Sequence, residues 1–324
     1  MPPPSGGPRF AVQMGRQRNK ALDYVVYVAA RVLAFIDHAC PWSARYAVAD
    51  MVAALVWRLD RTHRRRALQH VRRSFPDWPG KRVEAVAREG LRSMAYMGME
   101  ALLTPRLVRD DSWRRFFRLR NMAEAIELMV RRPSGVILVT GHFGNWEVAG
   151  YMTAAIGLRT TTVARRIDNP RLDRFILGIR ETAGQRMLDK DGASAAAGPI
   201  LRDRGVLTMV CDQDGGRKGV FVDFFGRKAS THKSIGLLAM EHQAPVCVIY
   251  CRRLGRRYAF EVGAERVIHP REWRDRSDPL RWLTQEYTAA LERVIRRDPG
   301  QYFWVHRRWK NRPPGEAPAP GGIA

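Results

Sequence analysis

The sequence predicts an α/β fold: a mostly parallel central sheet flanked by helices, with a helical N-terminal membrane-attachment region ahead of it. Three observations carry this. Val136-Ile137-Leu138-Val139-Thr140 is a short continuous apolar run, the texture of a strand buried on both faces. Further strand candidates lie at 160–164, 206–211, 220–224, 245–250 and 258–262, and helical stretches at 170–183, 233–242 and 279–297 separate several of them. Such alternation indicates parallel strands covered on both sides. Residues 21–80 lack it and read as apolar and basic helices.

The chain of 324 residues exceeds the usual size of one domain, about 100–150 residues, so it can bury a substantial core. Hydrophobic residues make up 45%, which excludes a wholly disordered chain, and 27 Gly and 19 Pro without a repeat exclude a collagen-like one. Four Cys cannot build a secreted disulfide scaffold, and Cys247 and Cys251 lack the second pair of a zinc ribbon. A reducing, cytoplasmic setting fits. Charge is the abnormal quantity: 56 Lys+Arg against 32 Asp+Glu leave +24. Such a field attracts nucleic acid, anionic lipid headgroups or an acidic carrier protein, and composition does not choose among them. A basic nucleic-acid-binding protein is therefore the non-enzymatic alternative.

Residues 1–20, with three consecutive prolines and Arg9, Arg16, Arg18 and Lys20, read as a flexible basic arm. Residues 21–80 form the expected membrane-attachment region. From Ala21 to Ala39, 15 of 19 residues are apolar, but Asp23, Arg31 and Asp37 interrupt the run. A spanning helix needs about 20 mostly apolar residues, so a helix lying at the interface or a shallow anchor is expected here, with an ordinary buried helix as the bland alternative. A second apolar helix is predicted over 43–59, with Ser43 as its N-cap. Arg58, Arg61, Arg64, Arg65, Arg66, Arg72 and Arg73 follow, opposed only by Asp60. That run suits anionic headgroups or a solvated helix face. Residues 75–80 read as a turn and 81–103 as a helix opening the main α/β domain, 81–312. The Pro-, Gly- and Ala-rich residues 313–324 read as a disordered tail.

The sharpest chemical feature is Gly141-His142-Phe143-Gly144-Asn145-Trp146-Glu147, directly after the buried strand. Ligands collect beyond the carboxyl ends of strands in such sheets. In a regular helix His142 and Glu147 would diverge by about 140°. They meet only if His142 sits in the turn and Glu147 inside the following helix, an entry that Gly141 and Gly144 permit. A carboxylate on one imidazole nitrogen fixes the tautomer and leaves the other nitrogen to accept a proton. With no serine or cysteine nucleophile beside it, its client would be a substrate hydroxyl. The bland alternative is a histidine satisfied by local hydrogen bonds at a helix start.

This stretch resembles the His-x4-acid motif of the lysophospholipid acyltransferase superfamily, and its HFGNWE form is similar to the lipid A biosynthesis lauroyl/myristoyl acyltransferase branch, with its related mannoside acyltransferases. Three further blocks support the resemblance in order: Arg165-Arg166-Ile167-Asp168-Asn169-Pro170, Asp212-Gln213-Asp214 with Gly219 to Gly226, and Tyr302-Phe303-Trp304-Val305-His306-Arg307-Arg308-Trp309-Lys310. It covers roughly residues 20–312. The resemblance implies an O-acyltransferase moving a fatty acyl chain from a thioester, acyl carrier protein or acyl-CoA, to a hydroxyl of a membrane glycolipid such as a lipid A precursor. The setting would be the cytoplasmic face of the inner membrane, with no cofactor, no metal and no nucleic acid.

By position, His142 matches the family's base and Glu147 its carboxylate partner. Arg165 or Arg166 falls where a cation meets substrate phosphate or developing charge, and Asp212 and Asp214 match an acidic turn at the substrate site. One departure is Gly141, where some members carry Asn; the oxyanion would then be held by backbone N–H groups or an Arg. The C-terminal Trp and Arg block is expected to be structural and membrane-facing. No GxSxG elbow, phosphate loop or HExxH motif appears, and Cys211 reads as a small buried side chain.

Overall fold

A computed structural model of the chain describes residues 19–315. The basic arm expected at 1–20 and the tail expected at 313–324 lie almost entirely outside these residues. Four helices come first: α1 (Lys20–Ala39), α2 (Trp42–Leu59), α3 (Arg61–Ser74) and α4 (Gly80–Leu107). Helix α2 begins one residue earlier than expected, and its N-cap position is taken by Pro41, whose ring holds the extended φ of −65°. Ser43 is thus inside the helix. Asp60 caps α3 by accepting the His63 N–H at 3.0 Å. No described helix is long and apolar enough to cross a membrane. Leu22, Val25 and Phe35 of α1, and Met51, Leu55 and Leu59 of α2, are exposed.

The alternating part follows as β1 (Phe117–Arg120), α5 (Ala123–Arg131), β2 (Val136–Thr140), α6 (Trp146–Ala155), β3 (Thr161–Ala164), α7 (Pro170–Glu181), β4 (Arg186–Asp189), α8 (Lys190–Arg202) and β5 (Val206–Val210). It continues with β6 (Val220–Phe224), β7 (Arg227–Thr231), α9 (Ser234–Glu241), β8 (Val246–Arg253), β9 (Phe260–Ile268), α10 (Pro270–Trp273) and α11 (Pro279–Arg297). Seven strands form one sheet in the order β1-β9-β8-β2-β5-β3-β4, while β6 and β7 make a separate hairpin. Strands β8, β2, β5, β3 and β4 are parallel; β9 runs antiparallel to β8, and β1 parallel to β9. The expected fold class is the observed one. Strands β1, β4 and β7 escaped the sequence reading because they are short and carry charge: FRLR, RMLD and RKAST.

The apolar run of β2 is buried on both faces, as its composition requires. Ile137 and Val139 pack into one core with Val71, Val83 and Leu291, from α3, α4 and α11. Val136 and Leu138 pack into the other with Met129, Val148 and Met152, from α5 and α6. Full burial of each such side chain contributes about 1.5–3 kcal/mol. Trp57, Ala67, Val71 and Phe75 belong to the first core, so apolar packing continues across residue 80.

A buried ion pair ties the N-terminal helices to the sheet. Glu100 of α4 is fully buried and accepts Arg253 Nε at 2.6 Å and Nη2 at 2.8 Å. The Tyr46 hydroxyl of α2 donates to the same carboxylate at 2.9 Å, and Arg253 Nη1 donates to Ser93 Oγ at 3.0 Å. Removing one partner of such a pair strands a charge in the interior. Glu100→Ala should therefore cost about 3–5 kcal/mol in chemical denaturation, and Glu100→Leu with Arg253→Met clearly less. Equal losses in the two variants would show that the charges themselves do not matter.

Candidate active site

Strand register builds the site. β2 and β5 are parallel neighbours, with Val136 opposite Val206 and Thr140 opposite Val210. One step further, Cys211 N–H donates to the Thr140 carbonyl at 2.9 Å. Continuing at the same level sets residue 142 beside residue 212. Asp212 Oδ1 lies 2.8 Å from His142 Nδ1, and Oδ2 accepts the His142 backbone N–H at 2.8 Å. The carboxylate thus clamps both the ring and the backbone of His142.

Electrostatics favour this arrangement. Burial alone would raise the Asp212 carboxyl, but charge and hydrogen bonding from His142 more than offset it and hold it well below the usual carboxylate range. An ionised Asp212 keeps the proton on Nδ1 and leaves Nε2 as the basic nitrogen. Nε2 has no hydrogen-bond partner among the described residues. The ring is 14% exposed and is flanked by Trp146 at 4.7 Å and His306 at 4.2 Å between ring centroids.

The carboxylate that meets the imidazole is therefore Asp212 and not Glu147. Glu147 lies in the first turn of α6 and faces α7, where Arg180 grips it with Nε and Nη2, both at 2.7 Å. It also accepts the Trp146 indole N–H at 3.1 Å, so it braces the ring that packs on His142. Behind the turn, Asn145 caps α6 by accepting Val148 N–H at 3.1 Å and donates to the buried Glu100 at 2.8 Å. Gly144 has φ +60°, and a Cβ there would come within 1.8 Å of the Cys251 carbonyl oxygen. Only glycine fits.

The other expected residues fall differently. Arg165 pairs with Asp168 at 2.9 Å in an exposed position, and Arg166 with Asp173 at 3.1 Å. Neither contacts His142 among the described residues; the acids within their own block satisfy them. Asp214 accepts from Gly216 N–H at 2.9 Å and from the backbone and side chain of Asn311, a brace between the acidic turn and the C-terminal block. The turn's own amides do not form an oxyanion hole. Those of His142, Phe143, Gly144 and Asn145 are taken by Asp212, Gly141, Gln301 and Cys251 respectively. At Gly141 a Cβ would meet Leu291 at 2.6 Å, so an asparagine there would have to displace that side chain.

The C-terminal block is not membrane-facing in its large residues. Trp304, Arg308 and Trp309 are buried, and Arg308 donates to the carbonyls of Gln213 and Ser230 and to Thr231 Oγ1, locking the Asp212 turn against β7. His306, to which the sequence reading gave no role of its own, stands against the His142 ring with Nε2 buried and unpartnered among the described residues. Burial pushes it down to about 4, aided by the charge of His142. Cys211 is buried, and burial together with Asp212 pushes its thiol up, as suits a packing residue.

An imidazole held by a buried carboxylate at the strand ends of an α/β sheet has the geometry a general base needs. Residues 14–311 match the model of the bacterial lipid A biosynthesis acyltransferases, and the chain belongs to that family. It is 28% identical over 257 residues to a lipid A biosynthesis acyltransferase of Haemophilus influenzae, covering 76% of each chain. It is 28% identical over 198 residues to the lipid A biosynthesis lauroyltransferase of Escherichia coli, covering 59% of this chain and 61% of the other. A phosphatidylinositol mannoside acyltransferase of Mycobacterium tuberculosis is 28% identical over 169 residues, 46% of this chain and 54% of that one. The chain thus spans about half the length of that mannoside enzyme.

Two buried imidazoles make stability depend on pH. His70 and His306 are each pushed by burial from 6.5 to about 4. Between those values the unfolded chain binds more protons than the folded one, so stability falls as pH drops through that window. The slope is at most about 1.4 kcal/mol per pH unit for each ring. Thermal denaturation should show a loss from pH 6.5 towards 4 that His70→Gln with His306→Gln flattens; an unchanged slope would remove these rings as its source.

Proposed function

We propose that this protein is an O-acyltransferase that moves a fatty acyl chain from a thioester donor to a hydroxyl of a glycolipid. The single observation behind this is the His142 Nε2, without a partner among the described residues, on a ring that the buried Asp212 carboxylate holds through Nδ1. His142 takes the proton from the acceptor hydroxyl as its oxygen attacks the thioester carbonyl. Asp212 stabilises the imidazolium that forms. When the tetrahedral intermediate collapses, the C–S bond breaks and the imidazolium returns the proton to the departing thiolate. General-base assistance of this kind is worth roughly 10²–10⁴ in rate. His306 Nε2, in the tautomer that carries its proton there, is an available donor for the oxyanion.

A place for the acyl chain lies behind Glu147 and Arg180. A cavity of about 210 Å³ there is walled by Met97, Ala101, Leu102, Tyr151, Ile176 and Ile179. The donor is proposed to be acyl carrier protein, with acyl-CoA as the alternative. The net charge of +24 would steer an acidic carrier. The acceptor is proposed to be a lipid A precursor, and a mannoside glycolipid is the second reading, favoured by the mycobacterial relative. The apolar residues exposed on α1 and α2, next to the arginines of α3, support attachment at the cytoplasmic face of a membrane. Mass spectrometry of membrane glycolipids, with the gene deleted and restored, tests the whole reading: one acyl chain should vanish and return, and an unaltered lipid profile would refute it.

His142→Ala should lose at least 10²–10³ in kcat with the fold intact, and Asp212→Asn a comparable amount. Glu147→Gln, which weakens only the brace through Trp146 and Arg180, should lose about tenfold or less. Transfer assays with the purified variants decide between the two acids. A Glu147 variant as dead as the His142 one, beside a fully active Asp212→Asn, would reverse their roles.

A further inference from the structure

Between α1, α7 and the end of α4 lies a hollow of about 870 Å³, larger than the cavity near Glu147. Arg31, Arg106, Arg171 and Arg174 line it, and among the described residues no carboxylate does. Arg106 and Arg174 are exposed and reach no acid among the described residues. Arg31 lies over Phe175 at 5.2 Å and donates to the Tyr27 hydroxyl at 3.3 Å, while Arg171 lies over Tyr24 at 5.2 Å. Arg165 and Arg166, by contrast, already hold aspartates.

The hollow is also greasy. Phe35, Leu102, Phe175 and Ile179 form its apolar wall, and Leu102 and Ile179 are shared with the 210 Å³ cavity. That cavity reaches Glu147 and Arg180, and Glu147 holds Trp146 against His142. Cations without acids, an apolar wall and a wall shared with the cavity beside Glu147 together fit one occupant: an amphiphile with a phosphate at one end. We infer that the hollow binds the phosphorylated headgroup of the acceptor lipid, with Arg106 and Arg174 on the phosphate and the lipid's chains along Phe35 and Phe175. Guanidinium groups suit phosphate because they can donate two parallel N–H bonds to it. The inference rests on the acyltransferase reading only in taking the lipid to be the acceptor.

The test uses the full chain with Arg106→Gln and Arg174→Gln together. The control, Arg118→Gln with Arg271→Gln, removes the same charge from exposed positions on β1 and α10. In transfer assays the groove variant should raise KM for a phosphorylated glycolipid acceptor about tenfold or more, with kcat nearly unchanged. KM for the dephosphorylated acceptor should not move, and Arg106→Lys with Arg174→Lys should recover part of the loss. Flotation with phosphatidylcholine vesicles carrying phosphatidic acid, or phosphatidylserine at equal charge, reads binding without turnover in a His142→Ala background. The groove variant should lose the preference for phosphatidic acid, and the control should keep it. Equal KM in the groove variant and the control, or equal loss on both anionic vesicles, would overturn the inference. If the wild-type protein transfers no acyl group, the enzymatic reading falls, and the vesicle comparison still decides the fate of the groove.

Discussion

The site depends on the in-register pairing of β2 with β5. Because Thr140 stands opposite Val210, the chain leaves both strands at one level, and two short turns put an imidazole against a carboxylate 70 positions away. A slip of one residue would turn Ile137 and Val139 from one core to the other. The packing of two apolar layers, therefore, enforces the geometry of a polar pair. Chemistry is set here by hydrophobic registration.

Around that pair the protein removes freedom from both sides. Glu100 and Arg253 hold the turn from behind through Asn145, and Arg308 holds the Asp212 turn from the C-terminal side. Gly144 lets the chain pass within contact of Cys251, and Phe303 N–H closes on the His142 carbonyl at 3.0 Å. An imidazole with one nitrogen unpartnered among the described residues and its surroundings fixed needs little reorganisation if charge develops on the ring.

Much of this was legible in the chain. β2 announced itself by its continuous apolar run, β6 and α11 as stretches in the alternating part, and the turn at His142 by its glycines. The imidazole's partner was not, because spacing reports only neighbours along one element, whereas Asp212 arrives through strand pairing. Glu147 was the plausible acid by proximity in sequence, yet Arg180, 33 residues on, competes for it with two hydrogen bonds. The same blindness affected Arg165 and Arg166, whose aspartates sit in the same block. The tryptophans of the C-terminal block looked like interface residues because burial of an aromatic beside arginines leaves no local trace in sequence. The Glu100–Arg253 pair had no signal at all: two charges 153 positions apart cannot be matched without the fold.

Helix α7 has a mechanical consequence. One end is pinned to α1, where Asn169 donates to the Asp23 carbonyl at 2.7 Å, and the other is riveted to α6 by Arg180 on Glu147. A rod of about 18 Å fastened at both ends transmits displacement along its length. A displacement of α1 would thus be felt, through α7 and Glu147, at the tryptophan leaning on the imidazole, so the outer rim of the molecule and the His142 ring form one lever.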